Sequence, residues 1–85
     1  MATIDRELRA VPLWLLRQYI TELGAHADAA GVLHGTDWQV RLTQIEDFQI
    51  GSLRVGQVRF ELHGTDEAVA ATWQQLEPKL LRAGG

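Results

Sequence analysis

The run Leu53-Arg54-Val55-Gly56-Gln57-Val58-Arg59-Phe60-Glu61-Leu62-His63 decides the fold. Its apolar residues alternate with polar ones, the pattern of a strand with one buried face. The phase slips midway: Leu53 and Val55 are odd-numbered, while Val58, Phe60 and Leu62 are even-numbered. A one-residue slip with a glycine at the join predicts a β-bulge at Gly56 or Gln57. Upstream, Trp38, Val40 and Leu42 alternate with Gln39, Arg41 and Thr43 and predict a second strand. A short feeder, Val32-Leu33-His34, leads into it across Gly35-Thr36-Asp37, as one arm of a hairpin would. Near the N-terminus, residues 3–11 place Ile4, Leu8 and Ala10 on one parity and Asp5, Glu7 and Arg9 on the other. That is a third strand, broken in pattern only by Arg6.

Between and after these strands the period becomes helical. Pro12 suits the first turn of a helix, where its missing N–H is not needed. Leu13, Leu16, Ile20 and Leu23 then fall on one face with Tyr19 beside them, and Gly24 stands where a helix ends. Residues 25–31 read as a loop. A second helix spans Thr65 to Arg82, capped by Thr65 or Asp66, with Val69, Trp73, Leu76 and Leu80 as its core stripe. Pro78 is expected to break or kink it near Leu76. The order βαββα, with one further short strand if the feeder counts, predicts an α+β two-layer sandwich. Its sheet is expected to have three or four antiparallel strands with two helices on one face. This is a ferredoxin-like arrangement lacking its last strand. The whole chain, 1–85, is expected to be a single domain with 82–85 as a flexible tail.

Composition narrows the function classes. The chain has 85 residues, 46% hydrophobic and 22% charged, with a formal net charge of −3. The acidic balance argues against nonspecific binding to a phosphate backbone, so no nucleic-acid partner is expected. The absence of cysteine removes disulfides, thiolate nucleophiles and cysteine-ligated metals. Lys79 is the single lysine and Ser52 the single serine, which leaves little for covalent catalysis. The longest apolar stretch, Ala10 to Leu16, is far short of a membrane span, and the N-terminal residues lack a signal-peptide pattern. A cytoplasmic protein without membrane association, without a cofactor and without enzymatic activity is the expectation.

Few constellations carry chemistry. His26, His34 and His63 lack close ligand spacing, so no metal site is expected. Glu46 and Asp47 are adjacent in what reads as a loop, with no partner base or nucleophile. Leu-His-Gly-Thr-Asp occurs twice, at 33–37 and 62–66, and reads as punctuation after a strand: once a turn, once a helix cap. The candidate binding residues are four. Trp14 lies with Arg17, Gln18 and Thr21 opposite the buried stripe of the first helix, where a tryptophan is expensive surface that marks an interface. Arg54 and Arg59 flank the predicted bulge and suit an anion. The open sheet edges predict a homodimer or another protein partner, with Trp14 as its first contact.

Two resemblances add to these readings. The stretch from Phe48 to Val58, running on through Phe60-Glu61-Leu62-His63-Gly64-Thr65-Asp66-Glu67-Ala68-Val69, resembles ACT and NIL ferredoxin-like regulatory domains at the level of fold. Pro12-Leu13-Trp14-Leu15-Leu16-Arg17-Gln18-Tyr19 together with Gly51 to Val58 resembles the C-terminal domain of bacterial MoaD-related proteins. In that family a ubiquitin-like sulfur carrier precedes a small α+β domain with no assigned catalytic residue. The narrower resemblance implies a non-enzymatic accessory or protein-interaction domain linked to molybdopterin or sulfur-carrier chemistry. The broader one implies the alternative, a regulatory domain that binds a small-molecule effector. The closing Gly84-Gly85 looks like a carrier tail, but it follows a helix rather than a strand, so a carrier role is not expected.

Overall fold

The computed structural model describes residues 1–82 of the chain. Its elements are β1 (Ala2–Arg9), α1 (Leu13–Glu22), β2 (His26–Ala27), β3 (Leu33–Gly35), β4 (Trp38–Ile50), β5 (Leu53–Gly64) and α2 (Asp66–Arg82). The protein is α+β, with an antiparallel sheet in the order β1-β5-β4-β3-β2. The sheet therefore has five strands rather than three or four.

The added strand is β2, inside the stretch that reads as a loop. Asp28 makes it. Its Oδ1 accepts the backbone N–H groups of Ala30 at 2.9 Å and Val32 at 3.0 Å, and its Oδ2 holds His34 Nε2 at 2.7 Å. The Asp28 N–H donates to the Val32 carbonyl, which closes the turn and lays His26 against His34 and Ala27 against Leu33. Two residues held by a side-chain network carry no alternating pattern to read.

β4 is also longer than its pattern suggests, running to Ile50. Glu46 and Asp47, expected in a loop, lie within it. The register steps from Ile45↔Gln57 to Phe48↔Val55, so Glu46 and Asp47 together oppose Gly56. That two-against-one count is a β-bulge, and it sits on β4, not at Gly56 or Gln57 of β5. β5 alternates without interruption, which places Leu53 and Leu62 on opposite faces. Glutamine side chains tie the bulge: Gln57 Nε2 donates to the Glu46 carbonyl and Gln44 Nε2 to the Gln57 carbonyl, both at 2.9 Å.

The buried strand residues share one face. Leu8 pairs with Val58, and both Val40 and Ile4 pair with Leu62. They join Leu16 and Ile20 of α1 and Val69, Leu76 and Leu80 of α2 in one core cluster. Phe60, fully buried, packs its ring 5.7 Å from that of Trp73. Arg6, the residue that breaks the β1 pattern, is on this same face and places its guanidinium 6.0 Å from the Trp73 ring centre. The charge stands over the indole face, which explains a charged residue at a core parity.

The helix ends follow their residues. The Pro12 carbonyl accepts the N–H groups of Leu15 and Leu16 at 3.1 Å, so Pro12 is the cap of α1 and not part of its first turn. Gly24 closes α1 at φ +101°, a conformation that glycine adopts without strain. Thr65 Oγ1 accepts the Ala68 N–H at 3.1 Å and caps α2. α2 is not broken at Pro78. Leu76 and Leu80 are buried on either side of the proline and hold both turns against the core. Arg82 closes the helix, and the rest of the expected tail, 83–85, lies outside the described residues.

Candidate functional site

The long β4–β5 pair outreaches its neighbours. β1 accompanies β5 only as far as Gln57, and β3 accompanies β4 only from Trp38 to Val40. Beyond Gln57 the two strands run on alone to Ile50 and Leu53 and turn through Gly51, at φ +58°. At about 3.3 Å per residue the two-stranded arm extends about 15 Å past the sheet.

Register fixes which side chains share a face of this arm. Phe48 opposes Val55 and Ile50 opposes Leu53, and all four lie on the side that carries Arg59 and Glu61 further down β5. This is the face away from the core cluster. Ile45, opposite Gln57, continues the apolar set toward the sheet. Ile50 and Leu53 are 58% and 67% exposed. The guanidinium of Arg9 lies 3.7 Å from the Phe48 ring centre, donates from Nε to Gln57 Oε1 at 3.3 Å, and has no carboxylate within ion-pair distance among the described residues. The bulge presents Glu46 and Asp47 at the β4 edge, a device that blunts strand-to-strand pairing there. What remains available for contact is the apolar face.

Trp14 is 66% exposed on the first turn of α1, as expected for its helix position. Arg54 is exposed near the arm's end, paired in register with Gln49. Arg59 is engaged: its Nη2 and Nε donate to the two carboxylate oxygens of Asp5 at 2.8 and 3.3 Å, and Glu61 lies 3.9 Å away. The hydrogen bond from Arg59 holds the Asp5 carboxyl below its usual range, and Asp5 in turn raises the Arg59 guanidinium. The structure thus places Arg54 and Arg59 on opposite faces of β5 and pairs Arg59 with Asp5. Arg17, half-buried on α1, lines a cleft whose other lining residues include Arg41 of β4, which sequence reasoning passed over.

The histidines are dispersed. His34 is held by Asp28, whose carboxyl that bond keeps below its usual range, and His63 Nδ1 is 3.0 Å from Thr3 Oγ1. The repeated Leu-His-Gly-Thr-Asp acts as turn and cap, and the two copies touch. The Thr65 N–H donates to the Asp37 carbonyl at 3.1 Å, and Trp38 pairs with both Gly35 and Gly64. A methyl group on Gly35 would fall inside the Trp38 indole, and one on Gly64 would collide with the Asp37 carbonyl.

The β4 half of the arm, Ile45, Phe48 and Ile50, was missed by sequence reasoning, although a signal existed. Ile45 is odd-numbered and Phe48 and Ile50 are even-numbered, a parity slip at Glu46–Asp47 of the kind that was read in β5. Among the described residues no helix is long and apolar enough to cross a membrane. Comparison with curated proteins gives no match. The family model of archaeal MoaD-like proteins matches residues 4–85, a span that takes in both helices, the projecting arm and nearly all of the sheet. The chain therefore belongs to the archaeal MoaD-like protein family.

Proposed function

We propose that this protein is a non-enzymatic, cytoplasmic accessory factor of sulfur-carrier chemistry, linked to molybdopterin, that works by docking its β4–β5 arm into a groove of a protein partner. Family membership supports the chemistry, and the narrower resemblance to the C-terminal domain of bacterial MoaD-related proteins supports the accessory role. The observation that carries the docking is the exposed apolar face of a two-stranded arm, with Ile50 and Leu53 outermost.

Area favours a groove over a second copy of the chain. From Ile45 to Ile50 the face of two strands covers only about 200 Å², from strand rise and spacing. A stable interface needs about 800 Å² per partner. Stacking two such faces would fall well short, whereas a groove that receives the arm can cover both faces and the turn. Arg9, beside Phe48, calls for a carboxylate on the rim of that groove.

The test mixes the chain with a molybdopterin sulfur carrier and with that carrier's activating enzyme in a calorimeter. One of them should bind, and the double variant Ile50→Asp/Leu53→Asp should bind at least tenfold more weakly, about 1.4 kcal/mol, with an unchanged melting temperature. Binding to neither protein, or equal binding by the variant, would overturn the reading. Intact-mass spectrometry after incubation with the activating enzyme and ATP should show no acyl-adenylate or thiocarboxylate at Gly85. Either adduct would make the chain a carrier instead.

A further inference from the structure

β1 is an outermost strand of the sheet, and among the described residues no strand lies beyond it. Which of its backbone groups face outward follows from the register. The Ala10 N–H donates to the Gly56 carbonyl at 3.0 Å, in line with the pairs Leu8↔Val58, Arg6↔Phe60 and Ile4↔Leu62. The even-numbered residues of β1 therefore direct their backbone groups to β5. The N–H and C=O groups of Thr3, Asp5, Glu7 and Arg9 point the other way, along an open edge.

Beside this edge α2 forms a groove of about 260 Å³, with Arg6 and Leu8 of β1 on one side and Trp73, Leu80 and Leu81 of α2 on the other. Trp73, Glu77 and Leu81 follow one another at four-residue spacing, so one stripe of α2 overhangs β1. Leu81 is 72% exposed on that stripe. One side chain is placed to select what enters. Arg6 Nη1 donates to the outward carbonyl of Asp5 at 3.1 Å, with its guanidinium 6.0 Å from the Trp73 ring centre. No carboxylate lies within 4.0 Å of that guanidinium among the described residues. Arg6 thus shields the edge. A strand that laid an apolar side chain over it would bury an unpaired charge, whereas one that brought a carboxylate would pair it.

From this arrangement we propose that the β1–α2 groove receives an extended segment of a partner protein, which adds to β1 as a further strand and sets an acidic residue opposite Arg6 and an apolar residue opposite Leu8. The pairings within the sheet are antiparallel, and an antiparallel addition puts Arg6 and Leu8 in the pairs without hydrogen bonds, where facing side chains come closest. The two partner residues are then spaced apolar-x-acidic along their own chain. The apolar one enters between Leu8 and the Leu80–Leu81 end of α2. The acidic one draws Arg6 off the Asp5 carbonyl, which becomes free to accept an N–H of the added strand. Glu7, on the far face of β1 by its parity, and Glu77 on α2 complete the lining, so the segment is acidic at one position and not along its length. Main-chain hydrogen bonds supply the affinity of such an addition, and alternate side chains supply its selectivity. The site is independent of the arm and of any partner that the arm engages.

The test is a titration of the isotope-labelled protein with the blocked peptide acetyl-Lys-Thr-Ile-Thr-Glu-Thr-Val-Lys-amide. The amide signals of Thr3, Asp5, Glu7 and Arg9 and the indole N–H signal of Trp73 should shift and saturate. A peptide with glutamine in place of the glutamate should bind about threefold more weakly, the effect of one exposed ion pair. N-methylation of the threonine between isoleucine and glutamate, which would face Glu7, should abolish saturation. Arg6→Gln should bind the glutamate and glutamine peptides alike, and Arg6→Lys should keep part of the preference. Ile50→Asp/Leu53→Asp should bind the peptide as the parent does, and weaker binding would put the peptide on the arm and overturn the proposal. Absence of saturation, equal binding of the two peptides by the parent, or saturation by the N-methylated peptide would also overturn it. So would shifts of the same amides with the concentration of the protein alone, which would give the edge to a second copy of the chain.

Discussion

Replacing Leu53 and Leu62 by alanine, one at a time, discriminates between two readings of β5. A bulge at Gly56 would bring Leu53 round to the face of Leu62, and both would contribute to the core. In the structure β5 is unbulged, Leu62 is fully buried and Leu53 is 67% exposed on the other face. Truncating a fully buried leucine costs about 2–5 kcal/mol, the transfer term plus the cavity left behind. An exposed truncation away from caps and networks stays within about 0.5 kcal/mol. An 85-residue chain has about 4–13 kcal/mol in total, so Leu62→Ala removes a large share and leaves a weakly folded protein. Val58→Ala, 1% exposed, provides a milder version of the same test. Two methyl-sized groups at about 0.8 kcal/mol each give about 1.6 kcal/mol before any cavity term. Urea unfolding followed by circular dichroism measures all three, with the dependence on denaturant checked for constancy. The expected order is Leu62→Ala, then Val58→Ala, then Leu53→Ala at almost nothing. A Leu53→Ala loss within about 1 kcal/mol of the Leu62→Ala loss would refute the assignment of faces, and with it the exposed arm.

Gly64→Ala should destabilise by about 1–3 kcal/mol, because its methyl meets backbone atoms of Asp37 and Trp38, while Gly56→Ala, facing open space, should change stability by less than about 0.5 kcal/mol. Similar melting temperatures for the two variants would contradict that contrast. Thr65→Ala should cost about 1 kcal/mol through loss of the α2 cap, with Thr65→Asp restoring most of it in thermal melts. Acid should weaken the fold through carboxylates whose folded pKa is depressed: Asp5 by the hydrogen bond from Arg59, Asp28 by that from His34, and Glu22 by that from Lys79. Their contribution is complete above the ordinary carboxylate range and is lost as pH falls through their lowered folded values. Melting temperatures recorded from pH 7 down to pH 2.5 should therefore fall less steeply for Asp5→Asn than for the parent, and parallel curves would show that the Asp5–Arg59 pair contributes nothing.

Local chemistry made much of the molecule legible. Gly24 and Thr65 mark helix ends because an αL residue and a side-chain acceptor act within one turn of the backbone. The stripes Leu16–Ile20 and Val69–Leu76–Leu80 are periodic because one helix face must be buried, and the structure buries them. Arg17 and Arg41 stand 24 positions apart in sequence, and only the packing of α1 near the edge of β4 puts both in the lining of one cleft. Arg54 and Arg59 show the converse. Nearness in sequence suggested a shared role, and pairing with β1 gave Arg59 to Asp5.

The order of residues along the chain is enough to establish the α+β class, the two helices, the Thr65 cap of α2 and the strand character of β1 and β5, since each depends on contacts within a few residues or on a buried-face period. Tertiary structure alone decided which face of β5 is interior at each point along it. Within the sheet the helices cover the even-numbered face and exclude water from Val58, Phe60 and Leu62. Past Gln57 no element covers that face, and the apolar residues change sides. In the sequence that change has the same signature as a bulge, because a parity slip records only where the apolar face lies, and what buries a face is supplied by another part of the chain.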